Sequence, residues 1–170
     1  MKDAKPVNIV LGRGVFRIDG NLAGLTRDGG NFSVEYEYRE IKADGDRGAV
    51  KGRIVNEGAR PKLSINHLEI LTHLDKFHPG LKVEEQEDGK TKVSGIGKID
   101  DGKDYHTVEF DGETKDGRKI NIKLKNAINL ENISWDLKEK DDIVDAVTFQ
   151  ATYDEQAEDQ YDENWEVVYG

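Results

Sequence analysis

The sequence contains no cysteine, which removes a disulfide framework, a thiolate metal site and a cysteine nucleophile together. It also lacks any stretch near the roughly 18 consecutive apolar residues that a membrane-spanning helix needs. The opening MKDAKPVNIVLG has no apolar signal-peptide core, so synthesis and folding in the cytoplasm are expected. Excess positive charge is missing too. The formal net charge of −10 argues against tight binding to duplex DNA through neutralised phosphates.

What is present is a polar chain of 170 residues, 35% hydrophobic and 35% charged. That length allows one domain with a modest core and a large wet surface. From Asp154 onward there are seven acids and no Lys or Arg, so the rest of the chain carries −10 + 7 = −3. The sequence therefore divides into a nearly balanced body, residues 1–153, and an acidic C-terminal extension, 154–170.

Turn residues punctuate the body. Asp-Gly pairs begin at Asp19, Asp28, Asp44, Asp88, Asp101, Asp111 and Asp116, and each tolerates the positive φ of a tight hairpin turn. Between them apolar and polar residues alternate with period two. Phe32, Val34, Tyr36 and Tyr38 share one face and Ser33, Glu35, Glu37 and Arg39 the other; Ile120, Ile122 and Leu124 repeat the pattern, as do Ile133, Trp135 and Leu137, and Val147, Phe149, Ala151 and Tyr153. Shorter strands are expected at 7–11, 15–18, 50–55, 83–87, 92–99 and 106–110. The fold class is mainly β: two packed antiparallel sheets forming a sandwich or open barrel. Asn66 and Glu69 read as an N-cap and capping box, with Leu68, Leu71 and Leu74 at helical spacing before Pro79-Gly80, so one flanking helix is expected over about 67–77. The Gly-rich, charged run over about 43–60 reads as a long protruding loop that a partner surface would order.

No constellation for catalysis emerges. Ser33, Ser64, Ser94 and Ser134 lack a G-x-S-x-G elbow. Gly12-Arg13-Gly14 opens no dinucleotide fingerprint, because Arg17 follows and no βαβ unit does. His67 and His73 are six apart rather than at the i, i+4 spacing of a zinc helix, and His78 and His106 read as surface or packing histidines. The acidic turn beginning at Asp100 has Tyr105 where a calcium loop needs Gly. No catalytic, cofactor-binding or metal-binding residue is assigned and no cofactor is expected. The 35 acids make any pair of carboxylates uninformative about glycoside hydrolysis.

The order of these features resembles the tail tube, or major tail, proteins of bacteriophages. The resemblance rests on GRGVFRIDGNLAGLTRDGGNFSVEYEYREI, the charged loop, NHLEILTHLDKFHPGL and the closing DGRKINIKLKNAINLENISWDLKEKDDIVDAVTFQATYD, about residues 7–153. It implies a structural virion protein without catalytic residues. Six copies would close a ring, rings would stack into a tube for DNA, and neighbouring sheets would join into one inner barrel without exposed edges. Phage-like bacteriocins and type VI secretion tubes share that architecture. Six copies at −10 give −60 per ring, a lumen that would hold DNA phosphates weakly. The implied partners are other copies in a homohexamer, a tape-measure protein and a tail terminator, without specific nucleic-acid binding or a membrane; the implied location is the virion tail, with host cytoplasm during assembly.

Three sets of residues follow from these readings. Ser33, Glu35 and Glu37 are the candidate lumen face. Arg47, Lys51, Arg53, Arg60 and Lys62 form a candidate inter-subunit loop, and Trp165, Val167 and Tyr169 a candidate C-terminal arm laid along a neighbour. Charge pairing between that loop and the acidic extension would speed and align assembly. The alternatives are a carbohydrate- or ligand-binding β-sandwich using strand-face aromatics as a platform, and an enzyme with dispersed carboxylates.

Overall fold

The computed structural model describes residues 9–95, 97–156 and 164–170. Ten strands and one helical turn follow in order: β1 (Val10–Ile18), β2 (Asn21–Leu22), β3 (Thr26–Glu40), β4 (Ile54–His67), α1 (Leu74–Phe77), β5 (Leu81–Glu85), β6 (Thr91–Gly95), β7 (His106–Thr114), β8 (Lys119–Asn129), β9 (Asp145–Ala151) and β10 (Trp165–Tyr169). The protein is mainly β, as the period-two alternation requires. The large sheet is antiparallel in the order β2-β1-β7-β8-β9-β4-β3, with β10 also on β8, and β5 and β6 make a separate two-stranded ribbon.

Strand β8 is where the large sheet divides. Residues 120–124 pair with β10, whereas 127–129 pair with β9. Between them Asn126 has φ +48°, a left-handed conformation that Asn tolerates better than most residues. Its carbonyl accepts from the Thr152 amide at 3.2 Å and from the Thr152 hydroxyl at 2.6 Å. Past this point the two halves fold over one another. Phe32 of β3 meets Trp165 of β10 with ring centroids 5.7 Å apart, although those strands share no ladder.

The core lies between the halves. Phe16 and Ile18 of β1, Val108 of β7 and Leu124 of β8 face Leu63 and Ile65 of β4 and Val147 and Phe149 of β9, with Phe77 of α1 closing one end. This is a sandwich-like arrangement. Each fully buried side chain of this size contributes about 1.5–3 kcal/mol through apolar burial.

Local sequence signals were overridden in several places. The helix expected over 67–77 is a single turn, because Asn66 and His67 are strand residues paired with Ala146 and Asp145. Glu69, expected to close a capping box, accepts the Leu25 amide at 2.7 Å instead. The loop expected over 43–60 is shorter, since 54–60 belong to β4. Asp28-Gly29 makes a bulge within β3, with φ of +58° and +68°, and Asp111-Gly112 lies inside β7. By contrast, Asp19-Gly20 forms the two-residue hairpin turn between β1 and β2, both at positive φ. Residues 133–137, expected as a strand, enter no ladder.

Candidate functional site

Strand β4 has two partners over Lys62–His67, β3 on one side and β9 on the other, but residues 54–61 pair with β3 alone. Beyond Val34 the β3–β4 hairpin therefore leaves the sandwich as a two-stranded ribbon. Alternation continues along it. On one face Tyr36 and Tyr38 are 44% and 66% exposed, with rings stacked at 5.9 Å. On the other, Lys62 binds Glu35 at 3.2 Å, Arg60 pairs with Glu37, and Arg39 with Glu57. The acids and bases neutralise one another on this face.

The ribbon tip closes on itself. Arg53 Nη1 lies 3.0 Å from Asp46 Oδ2, the same oxygen accepts the Ala43 amide at 2.7 Å, and the Ile41 amide donates to the Arg53 carbonyl at 2.8 Å. Arg47 and Lys51 are exposed at the tip, and neither has an ion-pair partner among the described residues. The five bases grouped as one loop thus separate: Arg60 and Lys62 belong to the neutralised strand face, Arg53 to the closure of the tip, and Arg47 and Lys51 to its free end. Ser33 is half-buried and Glu35 and Glu37 are exposed, so this face looks away from the core.

Trp165, Val167 and Tyr169 require a correction. They belong to β10 and pair with Leu124, Ile122 and Ile120 of the same chain, so in this structure the segment is a strand of its own sheet rather than an arm on a neighbour. Lys123 bridges β7 and β10 through Glu109 at 3.2 Å and Glu166 at 3.5 Å. The hydrogen bond that Lys123 donates to Glu109, and then the charge of that carboxylate, raise the Lys123 pKa. Most acids of the C-terminal extension, Glu158, Asp159, Asp162 and Glu163, fall outside the described residues.

Two other places bear on chemistry. An open groove of about 820 Å³ is lined by residues of β1, β7, β8 and β10, with Val15, Ile120, Val168 and Tyr169 as its apolar part. Beside it Asp111 is partly buried, which would raise its pKa, but hydrogen bonds from Asn121 and Arg17 hold it below the usual value. The second place is around α1, where all four histidines gather. His78 Nε2 lies 2.5 Å from Asp145 Oδ2, an acid–base geometry, yet the side chains are only 2% and 1% exposed. Asn129 occupies the other ring nitrogen at 3.2 Å, so the pair ties α1 to β9 and offers no access to a substrate.

His67 stacks on Phe77 at 4.2 Å, fully buried with neither ring nitrogen in a well-formed hydrogen bond. His106 Nδ1 meets Asp19 at 2.8 Å, and His73 Nε2 meets the Leu22 carbonyl at 2.9 Å. The turn that resembles a calcium loop has another role: Asp104 Oδ2 accepts the amides of Gly80 and Asp100 at 3.1 and 2.8 Å. No family model matches the chain, and a search of curated proteins finds no significant similarity.

Proposed function

We propose that this chain is a structural subunit that assembles with copies of itself, as the resemblance to bacteriophage tail tube proteins implies: hexameric rings stacked into a tube for DNA. The observation that carries the reading is the β3–β4 ribbon. It extends past the sandwich with its outer edge unpaired among the described residues and Tyr36 and Tyr38 exposed, and such edges favour pairing with another chain. The salt-bridged face of Glu35 and Glu37 suits a wet surface. A charge of −10 on each copy suits a channel that must not hold DNA. On this reading the tape-measure and terminator proteins of a virion tail are the further partners, and no catalytic residue is assigned.

Electron microscopy of the purified protein tests the proposal. Rings or tubes of uniform width are expected, and replacing residues 43–52 by a short turn should give a folded monomer that forms neither. A natural chain that stays monomeric at high concentration, or normal tubes from the shortened ribbon, would overturn it.

A ligand-binding β-sandwich is the second reading, favoured by the stacked Tyr36 and Tyr38 and by the open apolar groove. Glycan binding by a stable monomer, lost in Tyr38→Ala, would support that reading over assembly.

A further inference from the structure

The connection from β8 to β9, residues 130–144, has the alternation of a strand without the hydrogen bonds of one. Ile133, Trp135 and Leu137 alternate with Ser134, Asp136 and Lys138, yet 132–138 join no ladder. Connections this long without regular structure are unusual in a compact domain and are commonly functional.

Both ends of this strap are fixed. At the start, Asn129 Nδ2 donates to the Phe77 carbonyl at 2.7 Å and its Oδ1 accepts the amides of Glu131 and Thr148 at 2.9 and 3.2 Å. At the end, Arg27 forks onto Asp141 at 3.2 Å and Asp142 at 2.5 Å. Between these anchors Leu130, Ile133 and Leu137 are 62%, 49% and 79% exposed, and Trp135 Nε1 is shielded from solvent without an acceptor among the described residues.

We infer that this strap receives the tip of the β3–β4 ribbon from a second copy of the chain. The inference rests on the self-assembly reading and names the surfaces that meet. Charge selects the occupant. Over 131–142 the strap has five acids and two bases, 2 − 5 = −3, or −3 + 1 = −2 with Arg27 held on Asp141 and Asp142, while the ribbon tip over 41–53 has four bases and two acids, 4 − 2 = +2. Arg53 and Asp46 satisfy each other, which leaves Lys42, Arg47 and Lys51 facing outward against Asp44. Ile41 and Ile54 at the root of the tip are 48% and 53% exposed and supply apolar contact for Ile133 and Leu137. A contact between two different surfaces of one chain is head-to-tail, the kind that closes rings.

A charge swap tests the contact. Arg47→Glu with Lys51→Glu reverses the tip; Glu131→Lys with Glu139→Lys reverses the strap, at acids with no ion-pair partner among the described residues. Each variant alone should need at least about tenfold more protein to associate in sedimentation velocity, because like charges now face each other. An equimolar mixture should assemble close to the natural concentration, since tip and strap are again complementary in both pairings. Circular dichroism confirms that each variant is folded. If the natural chain assembles and either variant alone does so equally well, or the mixture does not recover, this contact is wrong and self-assembly stands. A natural chain that never associates would overturn both.

Discussion

Strand β4 changes character along its length, and the change separates what holds the molecule together from what it offers to others. Its C-terminal half alternates between buried Leu63, Ile65 and His67 and half-buried Lys62, Ser64 and Asn66, with a ladder on each side. Its N-terminal half has one ladder, and of residues 54–61 only Pro61 is buried. Substitutions in the first region should register in stability, and those in the second in association.

The largest effect is expected at Phe149, fully buried on β9 between Leu63 of β4 and Phe77 of α1. Phe149→Ala should cost about 3–5 kcal/mol through lost transfer energy and the cavity left behind. Tyr38→Ala on the ribbon should change stability by no more than about 0.5 kcal/mol while reducing assembly. Urea unfolding read beside sedimentation checks both, and an equal loss of stability at the two sites would erase the distinction.

The glycines sharpen it further. A Cβ on Gly30 would lie 2.2 Å from the Ser64 carbonyl and 2.7 Å from the Phe16 ring, whereas one on Gly58 of the ribbon would meet nothing within 4 Å. A backbone oxygen held in a ladder cannot move aside. Gly30→Ala is therefore expected to destabilise by about 1–3 kcal/mol as overpacking, and Gly58→Ala to be close to neutral in the same unfolding experiment.

This contrast also explains what the sequence revealed. Alternation identified β8 and β9 because one face of each packs on a core, a property written into residue order, and in β3 the same pattern runs on past Phe32 although Tyr36 and Tyr38 are exposed. It could not reveal that Asn66 and His67 would be claimed by β9, since that pairing depends on residues 145 and 146. The same limit applied to 133–137, where the pattern is that of a strand but both available neighbours of β9 are already β8 and β4. The separate roles of Arg53, Arg60 and Lys62 were hidden for a related reason: ion pairing follows the β3–β4 register, which has a bulge at Glu57 that composition does not announce. For Trp165, Val167 and Tyr169 the strand pattern was legible and the owner of the adjoining strand was not.

A pH series separates the two regions by a third route. Burial drives the pKa of His67 below its ordinary value of 6.5. The Ala23 backbone and the Asp145 and Glu69 carboxylates offset this only in part, and His73 adds to the lowering. With the folded pKa depressed, the unfolded chain binds the proton more readily, so the contribution of neutral His67 is complete above about pH 6.5 and is lost as pH falls toward and through the folded pKa. His67→Phe should flatten that part of the stability profile. Denaturant midpoints between pH 7.5 and 5 check it, and a variant retaining the full natural slope would exclude His67 as its source.

The smallest effect is expected on the ribbon's salt-bridged face, where proximity is easily mistaken for strength. Glu37 and Arg60 are each 54% exposed, and Glu35 is 58% exposed beside Lys62. Water screens such pairs and two long side chains lose rotamer freedom to form them, so each contributes about 0–1 kcal/mol. A double-mutant cycle on Glu37→Gln and Arg60→Gln should give a coupling in that range, shrinking with added salt. The pairs cancel charge along a face that would otherwise repel or capture other molecules, and that cancellation does not require a large pair energy. A coupling well above 1 kcal/mol that persists in high salt would mean that this face is shielded from water, and would move Glu37 from the open surface to a covered one.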